Sequence, residues 1–164
     1  MNTPPGCASP PIDLERDLNT LKSRAPVTVR SSLKPKFRAA FGDEAVTATW
    51  FSMLLHASTV CVLTGVRTDF ATLAGTMLDA IAARLSVELS DVMRANILSS
   101  FASLPPHADI KPALTRLRSA GYRTVAFSNS SLNLISTQIE NAGLAEYFDE
   151  IISVEETGSF KPDP

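Results

Sequence analysis

At 164 residues, with 45% hydrophobic and 20% charged side chains, the chain has the composition of one globular domain and is short for two. Its formal net charge of −2 gives no electrostatic reason to expect nucleic acid or a membrane surface as a partner. Cys7 and Cys61 lie far apart, with no Cys-x-x-Cys and no Cys/His cluster, which argues against zinc and for free thiols in a reducing cytoplasm.

Residues 1–29 differ from the rest. They hold five of the eleven prolines and no sustained period, and they read as a disordered or loosely attached arm without a secretory signal. Charge follows the same division. Residues 1–41 carry seven Lys/Arg against three Asp/Glu, and the remainder eight against fourteen. From Ser32 to Phe41 a short helix is predicted, stopped by Gly42. Asp43 or Thr47 then starts a long apolar helix within Ala45–Val66, the longest stretch free of Asp, Glu, Lys and Arg. Its length permits a membrane span, but the interrupting Thr, Ser and His residues favour a buried helix, with His56 a core or interface residue. The next segment places Phe70, Leu73, Ala74, Met77, Leu78, Ile81, Ala82 and Leu85 on one helical stripe, with Asp69 as N-cap. Arg67 and Asp69 flank the intervening turn and read as a surface salt bridge. Ser90 caps a further helix with Val92, Ala95, Leu98 and Ala102 on its stripe, and "LPPH" breaks it.

Beyond the prolines the pattern becomes α/β. His107 reads as exposed. Asp109 caps a helix facing inward through Ile110, Ala113, Leu114 and Leu117, and Gly121 suits a left-handed C-terminus. "RTVAF" is expected as a buried strand, "SNSS" as a turn, Leu132 to Ala142 as a helix closed by Gly143, and "EIISV" as a second strand. Short links imply parallel strands covered by helices, in a sheet that needs more strands than these two. Ligands of open parallel sheets bind beyond the carboxyl ends of the strands. One end offers Ser128, Asn129, Ser130 and Ser131; the other leads to a loop carrying Lys161. Hydroxyls, an amide, a helix N-terminus and an ammonium suit an anion, while an N-capping turn and a solvated lysine are the plainer readings.

The order "KPALTRLRSAGYRTVAFSNSS" then "NAGLAEYFDEIISVEETGSFKPDP", after a helical block, resembles the haloacid dehalogenase-like hydrolase superfamily, and within it the L-2-haloacid (type II) dehalogenases. The resemblance covers roughly residues 31–164. It implies a partial Rossmann-like parallel sheet core with an inserted helical cap: an atypical arm over 1–30 in place of the first core strand, a linker helix over 31–45, the cap over 46–104 and a partial α/β core over 105–164. It implies hydrolysis of short (S)-2-haloacids to 2-hydroxyacids and halide through an Asp ester, without a metal, in the cytoplasm, with a homodimer through the cap as a further expectation. Ser128 and Asn129 would hold the substrate carboxylate and the departing halide, and Lys161 would stabilise the charge around the nucleophile. The chain departs from the family in three places. No Asp-x-x-Gly-Thr follows an apolar strand, and Asp13 and Asp17 lack that context. Phe51 follows Trp50 where the resemblance leads one to expect Arg. The final motif after Lys161 is absent. The resulting expectation is an incomplete, inactive member. The alternatives are a phosphatase-type relative, which would use magnesium, and a non-catalytic interaction module.

Overall fold

The computed structural model describes residues 31–161. The expected arm over 1–30, with Cys7, Asp13 and Asp17, lies outside the described residues, as do the last three positions. Helix α1 covers residues 31–41 and stops at Gly42, whose φ of +75° is the left-handed region that favours glycine. Helix α2 is Val46–Thr64, ended by Gly65 in the left-handed conformation. Neither Asp43 nor Thr47 caps it: Ala45 holds the cap position, and the Asp43 carboxylate accepts from the Ala45 N–H at 2.8 Å. Helix α3 is Phe70–Arg84 and α4 is Asp91–Ser99, capped as expected by Asp69 and Ser90. A 3-10 turn over Ser100–Ser103 follows.

The larger core lies among these helices. Trp50 at its centre is fully buried, packs on Phe37, Phe51 and Phe101 at centroid distances of 5.1–6.3 Å, and donates its indole N–H to Ala74 O at 3.1 Å. Leu33, Leu54, Leu78 and Ile97 complete its inner layer, each such side chain contributing roughly 1.5–3 kcal/mol on burial. The expected stripe of α4 is corrected. Val92 is 78% exposed, and Ile97 is the residue that turns inward, because α4 packs through its last turn, where Leu98 and Phe101 join the cluster.

By length and composition α2 is apolar enough to cross a membrane. In this fold it buries one side only: Val46 and Thr47, then Trp50, Leu54, Ser58 and Cys61 at steps of three or four residues. Leu55, Val60 and Leu63 face outward, as does His56, so of the two readings of His56, core or interface, the core one is corrected.

The remaining elements are α5 (Ile110–Ser119), β1 (Val125–Ser128), α6 (Leu132–Asn141) and β2 (Glu150–Ser153). Asp109 precedes α5 but does not cap it; its carboxylate meets the His107 ring instead, and His107 is half-buried. The strands pair in parallel, Val125 with Glu150 through Ser128 with Ser153. A second, smaller core of Leu114, Ile139 and Leu144 takes Ala126 and Ile151 from one sheet face. The other face is open. Val125 and Phe127 are 39% and 49% exposed, so β1 is not the buried strand expected. Side chains alternate across a sheet, and Val125 and Phe127 stand on the side opposite Ala126. Helix α6 ties the two cores together, its Gln138 and Asn141 amides donating to Phe101 O and Ala102 O at 2.5 and 2.8 Å.

Candidate functional site

The parallel pairing brings Ser128 and Ser153 side by side at the carboxyl ends of β1 and β2. The Ser128 hydroxyl accepts from Ser130 N–H at 3.0 Å, which turns the chain sharply. The Ser131 hydroxyl then caps α6 by accepting from Leu134 N–H at 3.3 Å. After β2, a 3-10 turn over Val154–Glu156 and Gly158, at φ +70°, bend the chain back. Phe160 is the anchor of this loop: it is 6% exposed and meets Phe70 edge-on at 6.2 Å. Its neighbour Lys161 is thereby delivered to the end of β1.

Two hydrogen bonds fix that delivery. Lys161 donates its backbone N–H to Asn129 Oδ1 at 2.9 Å and its Nζ to Phe127 O at 2.6 Å. The ammonium also lies 4.9 Å from the Phe127 ring centroid, a cation–π contact. Partial burial pulls its pKa below the usual 10.5, because desolvation disfavours the charged form. Ser128, Asn129 and Lys161, separated in sequence by up to 33 positions, thus form one edge. The backbone donor settles the Asn129 amide: Oδ1 accepts, so Nδ2 is left as the donor. The Ser128 oxygen already accepts, so its O–H remains to donate, and Nζ keeps two of its three protons. The edge is a set of donors around one positive charge, which is what an anion requires.

One residue at this edge is missing from the sequence reading. Ser153 is fully buried and donates to Ser130 O at 2.8 Å while accepting from Glu155 N–H at 3.1 Å, so it staples the two strand-end loops. A serine closing the apolar run "EIIS" was the available signal. Arg67 forms no salt bridge with Asp69, whose carboxylate binds Thr72 N–H and Thr72 Oγ1 at 2.7 and 2.6 Å. Those bonds hold the Asp69 pKa below the usual carboxylate value.

Two cavities are lined in part by the loops that lead to or from the edge. One of about 150 Å³ lies between the helices and the start of α6, with Phe70, Ala74, Leu98, Phe101, Ser130 and Leu134 in its wall. Another of about 280 Å³ separates the end of α2 from the loop that leads to Lys161. Among the described residues no three His, Cys, Asp or Glu side chains gather to hold a metal ion.

A family model described as haloacid dehalogenase-like hydrolase matches residues 27–164. The (S)-2-haloacid dehalogenase of Pseudomonas fluorescens is 35% identical over 79 residues, 48% of this chain and 35% of that protein. That of Pseudomonas putida is 28% identical over 120 residues, 73% of this chain and 53% of that protein. The chain therefore spans about half the length, or less, of these curated relatives. The solved L-2-haloacid dehalogenase of Xanthobacter autotrophicus superposes with a TM-score of 0.75 at 27% identity, over 83% of this chain and 55% of that one. A second structure of that enzyme, with chloropropionic acid covalently bound, superposes with a TM-score of 0.74.

Proposed function

The chain belongs to the haloacid dehalogenase-like hydrolase family, and from that premise we propose that its Ser128–Asn129–Lys161 edge is the anion-binding half of a 2-haloacid dehalogenase site. The observation that carries the reading is the double bond network from Lys161 to Asn129 Oδ1 and Phe127 O. It holds an ammonium and an amide donor at one strand end, although nothing in the packing of the smaller core requires either. The relatives named as (S)-2-haloacid dehalogenases and the structure holding chloropropionic acid support a short 2-haloacid as the ligand class.

In such a reaction an aspartate carboxylate oxygen attacks C2. The carbon–halogen bond breaks, halide leaves with its electron pair, and an ester forms. Water then attacks the ester carbonyl, releasing the 2-hydroxyacid and regenerating the carboxylate. On this reading Ser128 and Asn129 donate to the substrate carboxylate and to the departing halide, and Lys161 balances the negative charge on nucleophile and substrate. The helices between residues 46 and 104 act as the cap, and the reaction needs no metal. The 164 residues contain no Asp-x-x-Gly-Thr segment, so this polypeptide binds the acid without turning it over. The outward-facing Leu55, Val60 and Leu63 of α2 support self-association through that helix, and the reading places the protein in the cytoplasm.

The test is chloride release from (S)-2-chloropropionate, and phosphate release from a generic phosphate ester, by the purified chain with and without magnesium. No release above the uncatalysed background is expected under any condition. Chloride release would overturn the non-catalytic reading, and magnesium-dependent phosphate release would overturn the choice of reaction.

A further inference from the structure

The cavity of about 280 Å³ between α2 and the Lys161 loop has an unusual lining. Among the described residues it includes Thr68, Thr157 and Ser159, one arginine, Arg67, and no Asp or Glu. The Thr157 hydroxyl is committed to Val154 O at 2.8 Å, which leaves those of Thr68 and Ser159. The guanidinium lies against Gly158: a Cβ at that position would stand 3.2 Å from Arg67 Nη1, so glycine permits the close approach. Among the described residues no ion pair and no hydrogen bond engages Arg67. Two carboxylates stand nearby, in a neighbouring cavity of about 210 Å³ that shares Arg67, Thr68, Gly158, Ser159 and Phe160. One is Asp69, held by its two bonds to Thr72; the other is Glu155, which lines that second cavity and makes no ion pair with Arg67.

A guanidinium is always charged, and its planar fork matches a carboxylate through two parallel N–H bonds. Arg67 lines this cavity with Thr68 and Ser159, with Cys61, Val62 and Phe160 as apolar wall, and no ion pair with Asp69 or Glu155 occupies it. We propose that Arg67 is a carboxylate-binding residue: with Thr68 and Ser159 it grips a small organic acid in the α2–loop cavity. Phe160 lines this cavity and directly precedes Lys161, so the cavity and the Lys161 edge share one loop. The choice of a 2-haloacid as that acid rests on the function proposed above; the site itself rests on the cavity.

The full chain is titrated with (S)-2-chloropropionate and, separately, with inorganic phosphate, followed by amide chemical shifts. Arg67 is exposed, so its variants retain the fold, which the same spectra verify. Arg67→Gln is expected to weaken carboxylate binding about tenfold or more, the scale of a charge-assisted hydrogen-bonded pair, and Arg67→Lys to restore part of it. Unchanged affinity in Arg67→Gln, with loss in Lys161→Ala, overturns the Arg67 site and leaves the Lys161 reading standing. Loss in Arg67→Gln with no change in Lys161→Ala supports the Arg67 site and overturns the Lys161 reading. Binding of phosphate but not of the carboxylate, or of neither, overturns the Arg67 proposal.

Discussion

Replacing Asn129 by Asp separates two jobs that this side chain performs at once. Oδ1 accepts the Lys161 N–H at 2.9 Å, and Nδ2 is the donor left for an anion. Asn129→Asp keeps the acceptor and replaces the donor by a second charged oxygen. The loop bond is worth about 0.5–1.5 kcal/mol, and exposure of Lys161 places it near the low end. Asn129→Ala is therefore expected to lower stability by roughly 0.5 kcal/mol, and Asn129→Asp to leave it unchanged. Anion binding responds in the opposite order. Two negative charges about 4 Å apart repel by about 1 kcal/mol in bulk water and about 4 kcal/mol at a protein surface. For a half-buried residue a penalty of about 1.4–2 kcal/mol follows, which is roughly 10- to 30-fold in affinity. Urea unfolding reads the first effect, and a chemical-shift titration with (S)-2-chloropropionate reads the second. If Asn129→Asp binds the acid as tightly as the parent chain, Nδ2 does not face the anion and the proposed role of Asn129 fails.

Other substitutions test the fold and its charges. Trp50→Ala removes the centre of the larger core and its bond to Ala74 O, and should cost about 3–5 kcal/mol in urea unfolding. Asp69→Ala removes the α3 N-cap and should cost about 1 kcal/mol; because the Asp69 pKa is lowered in the fold, the stability it supplies is present above its unfolded pKa and is lost as pH falls through the folded one, a dependence that unfolding midpoints at acid pH will show to vanish in the variant. The Thr47 hydroxyl is buried without a hydrogen-bond partner, so the near-isosteric Thr47→Val should stabilise by about 1 kcal/mol and raise Tm. Lys161 has the opposite pH sign to Asp69. Its folded pKa lies below 10.5, so the folded chain binds fewer protons than the unfolded one between those two values. Stability therefore rises with pH through that alkaline window, and Lys161→Met should flatten the rise.

Much of this was legible in the sequence where local chemistry and burial agree. The α3 stripe, the Asp69 and Ser90 caps and the Gly65, Gly121 and Gly143 stops follow from periodicity and φ > 0 alone. Ser128, Asn129 and Lys161 were legible from position at strand ends, and the fold places them in one edge. Where tertiary packing decides, the sequence was silent. Val92 fits the α4 stripe by spacing yet is exposed, because only the last turn of α4 meets the core. Val125 and Phe127 have the composition of a buried strand, but burial depends on what packs above the sheet, which no residue within β1 encodes. Asp109 has the right type and place for a cap, yet the His107 ring claims its carboxylate. Arg67 read as half of a surface pair because its neighbour in sequence is acidic; only the geometry shows that Thr72 holds that acid.

The central claim is that Ser128, Asn129 and Lys161 act together as one anion-binding edge. Titrating the isotopically labelled chain with (S)-2-chloropropionate while following their three backbone amides tests it most directly. The account predicts that all three move along one saturable curve, and that the curve disappears in Lys161→Ala. Saturable binding that leaves these amides unmoved, or that persists unchanged in Lys161→Ala, would contradict it.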